Sequence, residues 1–260
     1  MAIPPKAVKS TAKASLKGHW FEACCVSIAF MLTVALLYFS CALLASILPQ
    51  FAPDILLLLL TLLLICPLFL GILRFFKNLI FETQVDFLEI FIYFSAAKAY
   101  KRALRLVLDL FIRFIFYALI ALIPAGIVKL ITSDFFFGLL NVDIPLWSES
   151  LDMLLSFLVG MAALSVFILM LRYYLAPFLI VADDDMTVGE AIHMSTIISR
   201  RSSSELWSLI FSLALCILLT LFAVPMVFTL PYFLCVFTVH ARYAVTGFNL
   251  SLAQPNSYRS

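Results

Sequence analysis

Glycine is scarce in this chain: seven residues in 260, none of them grouped. No glycine-rich loop exists to cradle a phosphate, and no Gly-x-Ser-x-Gly elbow exists to present a nucleophilic serine. Histidine is scarcer still. His19, His193 and His240 are scattered and form no zinc-protease pattern. The six cysteines, Cys24, Cys25, Cys41, Cys66, Cys216 and Cys235, all fall within apolar runs, and none has a histidine at ligand spacing. A zinc site is excluded on that pattern, and the thiols read as small buried hydrophobes. Charge is also thin. Charged residues make up 12% of the chain and the net charge is +2, too little to argue for nucleic acid. A soluble domain carries about twice that share of charge, so this chain cannot cover a water-exposed surface. We expect no catalytic residue, no metal and no cofactor, and no enzyme.

What the chain has in abundance is hydrocarbon. Hydrophobic residues are 65% of the total, phenylalanine alone occurs 26 times, and the mean hydropathy is +1.13. A helix needs about 20 apolar residues to cross a bilayer. Runs long enough begin at Trp20 (20–48), Ile55 (55–76), Leu106 (106–132) and Leu151 (151–181). The last run, 206–245, is long enough to cross twice, with Pro225 providing a turn between 206–222 and 227–245. Strands would leave unsatisfied edges in lipid, and no short alternating segments announce a barrel. The expected fold is an all-α integral membrane protein, one transmembrane domain over residues 1–260 with six helices.

The loops set the orientation. Of the 17 Lys and Arg residues, Lys129 falls at an outer boundary, and Arg113 and Arg172 lie inside spans; the others lie towards the termini or the loops after spans two and four. Loops rich in Lys and Arg stay in the cytoplasm. Both termini are then expected inside, and Asp54, Asp134, Asp143, Glu149 and Asp152 outside. Trp20 and Trp207 mark the inner boundary and Trp147 the outer one.

Three polar stretches on the inner side share a pattern. Lys6, Lys9, Lys13 and Lys17 follow Pro4-Pro5 and share one helical face. Lys98, Lys101, Arg102 and Arg105 share another. In the third, Asp183-Asp184-Asp185 precede Thr187-Val-Gly-Glu190, a hydroxyl cap with a glutamate three residues on. Val188, Ala191, Met194, Ser195 and Ile198 then recur at helical spacing, and Arg200-Arg201 close the segment. This stretch is expected to be a short amphipathic helix along the inner membrane face. Each stretch runs into an odd-numbered span, so the chain reads as three repeats of a basic surface helix plus a transmembrane hairpin. The competing reading is that every inner loop is basic for orientation alone. Lys101, Arg102, Arg200 and Arg201 are the candidate contacts for anionic lipid.

Three segments carry a resemblance. "ASLKGHWFEA" (residues 14–23), with Gly18 and Trp20, resembles the opening of a bacterial family of small integral membrane proteins catalogued as a domain of unknown function. "RYYLAPFLIVADDDMTVGEAIHMS", with Glu190 and Ser195, looks like that family's middle motif. "LPYFLCVFTVHARYAV", with Pro231 and Tyr232, looks like its closing span. The chain departs from the family where a Lys-Gly pair is expected after the motif helix; Arg201 and three serines stand there instead. The family is distantly similar to the membrane region of some glycerophosphodiester phosphodiesterases. The resemblance implies six spans and a bacterial cell membrane, and no reaction.

Polar residues inside spans are the remaining functional hint. Asp109 and Arg113 are four apart and can pair on one helix face. Glu22, Arg172, His240 and Arg242 lie near the inner ends of their spans. Together these six either line a cavity open to the cytoplasm or act as separate anchors. The three consecutive aspartates invite a magnesium reading, but no second acidic cluster is present to complete a hard-cation site. The function expected is that of a membrane scaffold or accessory subunit. The alternative is a transporter or lipid-handling protein with a polar cavity open to the inner leaflet. Expected partners are membrane lipids and another membrane protein or a second copy, and no nucleic acid.

Overall fold

The computed structural model describes residues 4–45, 52–81, 86–131, 148–219 and 223–253. Asp134, Asp143 and Trp147 of the expected outer face lie outside them. The described residues are helical and contain no strand. Among the described residues, four helical stretches are long and apolar enough to cross a membrane: Trp20–Leu44, Ala52–Phe81, Ala97–Leu130 and Asp152–Ala182.

In chain order the helices are α1 (Pro5–Leu16), α2 (Trp20–Ala45), α3 (Ala52–Leu60), α4 (Cys66–Phe81), α5 (Ile92–Ser95) and α6 (Ala97–Ile131). They continue as α7 (Ser148–Met170), α8 (Ala176–Ala182), α9 (Val188–Arg201), α10 (Ser203–Ser212), α11 (Ala214–Leu219) and α12 (Ala223–Ala253). A π turn, Thr61–Ile65, joins α3 to α4, and 3-10 turns occupy Phe87–Phe91 and Leu171–Tyr173. The contacts divide the chain into two compact units, one of Met1–Val107 with Tyr173–Ser260, the other of Leu108–Arg172.

The larger unit is built around α4. Leu68, Leu70, Ile72, Leu73, Phe75, Phe76 and Leu79 are buried on it, against α8, α12 and the Phe87–Phe91 turn. Gly71 is what lets that turn close: the Ile90 carbonyl occupies the space where a Cβ at position 71 would stand. The π turn has its own tie, since the Tyr100 hydroxyl donates to the Leu63 carbonyl at 3.1 Å.

The helix ends follow from local chemistry. Pro5 opens α1, where its missing N–H costs nothing. Gly18, at φ +99°, turns the chain into α2 in a conformation that side chains rarely adopt. The expected capping box forms at α9. The Glu190 N–H donates to Thr187 Oγ1 at 3.3 Å, and the Thr187 N–H donates to Glu190 Oε2 at 3.0 Å. Arg200 and Arg201 fall in the last turn, where cations favour the helix dipole.

Several details differ from the sequence reading. The apolar face of α9 packs on α8 and α12, burying Val188, Ala191, Ile192, Ser195 and Ile198; the protein itself covers that face. Likewise α1 buries Val8, Ala12 and Leu16 against α12 and α4. Burying such side chains away from water contributes about 1.5–3 kcal/mol each. The basic stretch at 98–105 is no separate helix but the first turns of α6. Pro225 makes no turn; it sits in the first turn of α12, where proline fits a helix. The segment 206–222 is not one rod, because α10 and α11 are separated at Leu213.

Candidate functional site

The carboxy-terminal half of α4, the first turns of α6 and the segment after α8 meet in a polar node. Arg74 of α4 binds Asp184 through Nη1, at 3.0 Å to Oδ1 and 3.2 Å to Oδ2. Arg102 of α6 approaches the same carboxylate at 3.6 Å and donates to the carbonyls of Ile180, Asp183 and Asp184. These include carbonyls that the end of α8 leaves without helical partners, so Arg102 closes that helix and answers its dipole. Tyr93 is buried beside both arginines. Burial pushes its phenol above the usual value, and Arg74 and Arg102 act the other way. Asn78, also buried, donates to Glu89. The middle aspartate of the triplet is thus an ion-pair partner. Its neighbour Asp183 accepts from the Asp185 N–H at 2.9 Å. Among the described residues no group of three His, Cys, Asp or Glu side chains is placed to hold a metal.

A second buried polar pair lies where α12 passes the start of α8. The Tyr174 hydroxyl and His240 Nδ1 are 3.0 Å apart. His240 is 3% exposed, so each supplies the other with a hydrogen bond that water cannot.

A cavity of about 310 Å³ opens between the carboxy-terminal ends of α4 and α8 and the carboxy-terminal half of α12. Its walls are mostly apolar, and Lys77 and Arg242 supply the positive charge. The Arg242 guanidinium lies over the Phe81 ring at 3.8 Å, and Lys77 Nζ approaches the Val181 carbonyl at 3.5 Å. Among the described residues no carboxylate lines the cavity and neither cation has an ion-pair partner.

The six candidate intramembrane residues are dispersed among these environments. Glu22 pairs with His19 Nδ1 at 2.8 Å on an exposed turn of α2. Asp109 and Arg113 pair along α6 at 3.6 Å, as their spacing predicts. Arg172 is exposed in the Leu171–Tyr173 turn. His240 is held by Tyr174, and of the six only Arg242 lines the cavity. Of the candidate lipid contacts, Lys101, Arg200 and Arg201 are exposed, while Arg102 is turned inward to α8. Among the motif residues, Gly18 makes the α1–α2 turn, Glu190 completes the cap, and Ser195 and Pro231 are buried. Trp20 is exposed and Tyr232 half-buried.

Lys77 and Arg74 were not singled out from the sequence. Both follow an apolar run and look like ordinary inner-side charges. Their spacing of three, on a helix buried almost all round, is the signal that they face neighbouring helices. No family model, curated protein or solved structure matches the chain.

Proposed function

We propose that the protein is a multi-pass scaffold or accessory subunit of a bacterial cytoplasmic membrane complex, with both termini in the cytoplasm and six crossings arranged as three repeats of surface helix and hairpin. Its apolar helices and the bias of Lys and Arg to one side support that placement. Kinship with six-span bacterial membrane proteins of unassigned function rests on the three short motifs.

The observation that carries the scaffold reading is the smaller unit. Asp109 and Arg113 on it pair with each other, while Ile112, Phe116, Leu119, Ile123, Met153, Phe157 and Phe167 stand exposed. Small residues interrupt this surface at Gly126 on α6 and at Ser156 and Gly160 on α7, and a Cβ at either glycine would meet nothing. Helices in lipid associate through such small residues, because they let backbones approach. The occupant we assign is an apolar helix of another membrane protein.

Affinity purification from native membranes in mild detergent tests this. A stoichiometric membrane partner should co-purify, and Gly126→Leu with Gly160→Leu should release it without loss of helicity. A wild-type chain that elutes alone overturns the reading; a dimer of this chain would make the partner a second copy.

A lipid-handling role is the second reading, favoured by the cavity with its two cations.

A further inference from the structure

The cavity between the carboxy-terminal ends of α4 and α8 and the carboxy-terminal half of α12 combines features that do not coexist without reason in a purely structural gap. Leu73, Phe81, Phe178, Leu179 and Val245 give it an apolar wall. Lys77 and Arg242 bring two positive charges to that wall. Among the described carboxylates nearby, Asp184 is held by Arg74 and approached by Arg102, and Asp183 accepts from the Asp185 N–H. The Thr238 hydroxyl is also occupied, donating to the Leu234 carbonyl at 2.8 Å. Lys77 is half-buried, where charge withdrawn from water is costly without a counter-charge, and Arg242 is exposed at the mouth beside it. Phe81 offers Arg242 only its ring face, and the Val181 carbonyl offers Lys77 only a long contact. What the wall lacks is an oxyanion.

The position adds a second constraint. The candidate spans Ala52–Phe81 and Asp152–Ala182 end at the cavity, and its lining reaches Phe81 and Ala182 themselves. The cavity therefore lies where a span meets the polar interface. The ligand that completes this arrangement has an oxyanion at one end and hydrocarbon at the other.

We infer that the cavity is a binding site for an anionic amphiphile, an acyl chain lying along the apolar wall with its carboxylate or phosphate held between Lys77 and Arg242. This rests on the lipid-handling reading and gives that reading a ligand class and a site. A free fatty acid and an anionic phospholipid offer the same chemistry, and the test separates them.

The full chain is purified in a neutral maltoside detergent, stripped of lipid, and titrated with cis-parinaric acid, whose conjugated chain fluoresces when held in an apolar site. The acid should bind, and its uncharged methyl ester should bind at least about tenfold more weakly, the loss expected when charge recognition by basic side chains is removed. Lys77→Gln with Arg242→Gln should weaken the acid by a similar factor and leave the ester unchanged. Val245→Trp keeps both cations and fills the cavity from a half-exposed position, so it should weaken acid and ester together. Displacement by oleate but not by dihexanoyl phosphatidylglycerol assigns the site to free fatty acid; the reverse assigns it to phospholipid. Equal affinity for acid and ester, or full affinity in the variants, overturns the site while leaving a lipid-binding protein. Absence of binding to the wild-type chain, with no anionic lipid retained after purification from native membranes, overturns the lipid-handling reading itself.

Discussion

Neighbouring basic residues in one run have opposite fates. Lys101 and Arg102 look alike in the sequence, both preceding a span. Lys101 is exposed, whereas the Arg102 guanidinium reaches three carbonyls at the end of α8 and the Asp184 carboxylate. Only a planar fork of donors can serve that many acceptors at once. Arg102→Gln should lower stability by about 1.5–3 kcal/mol, since it removes hydrogen bonds from a charged donor and leaves carbonyls unanswered. Lys101→Gln should stay within about 0.5 kcal/mol of wild type. Thermal unfolding in detergent, followed by fluorescence, reads both. A neutral Arg102→Gln would mean water already satisfies the end of α8. For any measurement of lipid attraction by the inner basic residues, Lys101, Arg200 and Arg201 are the ones to neutralise, because changing Arg102 would disturb the fold as well.

At the scale of elements, what was legible is what is local. The α9 cap could be read because Thr187 and Glu190 are three residues apart and their bonds require no third party. The Asp109–Arg113 pair was legible for the same reason. The Arg74–Asp184 bond joins residues 110 apart in sequence, and nothing in either neighbourhood specifies the other. The same holds for Gly71 against Ile90, where a missing side chain leaves no pattern at all. The cavity was out of reach on the same grounds, since its walls come from three distant segments. Helical periodicity did find the apolar face of α9, but not whether lipid or protein would cover it. The cap also carries a pH dependence. Hydrogen bonds from the Thr187 backbone and side chain hold the Glu190 carboxyl below its usual value. A depressed folded value means the stabilisation is present above the unfolded carboxylate range and is lost as pH falls through the folded value. Glu190→Gln keeps an amide oxygen for the Thr187 N–H but cannot titrate. Wild type should therefore be the more stable near pH 7, with the difference shrinking in acid. A difference that stays constant down to pH 3 would show that the charge of Glu190 adds nothing to its hydrogen bond.

For the whole molecule the open question is how the last third of the chain meets the bilayer. The Thr11 hydroxyl lies 3.3 Å from that of Tyr243, and Cys235 reaches the Ala12 carbonyl at 3.5 Å. The carboxy-terminal half of α12 is therefore beside α1, whose lysines the proposed topology puts on the cytoplasmic side. Counting back about 20 residues from Tyr243, at about 1.5 Å each, places Ala223 about 30 Å away, the thickness of the hydrocarbon core. That length is enough for α12 to make the sixth crossing of the proposed topology. The difficulty is α10. Lys9 donates to the Ser212 carbonyl, which ties the end of α10 to α1 and leaves α11 as the described part of the proposed fifth crossing. Cysteine labelling resolves the conflict. On a cysteine-free background, single cysteines at Asp54, Asp143 and Leu221 should react with an impermeant maleimide from outside intact cells, and cysteines at Lys98, Ser203 and Ser257 only after lysis. Failure at Leu221 alone, with Ser257 still inside, would replace spans five and six by a re-entrant pair held to α1 through Lys9. Reaction at Ser257 from outside would overturn the cytoplasmic carboxy terminus and, with it, the threefold repeat.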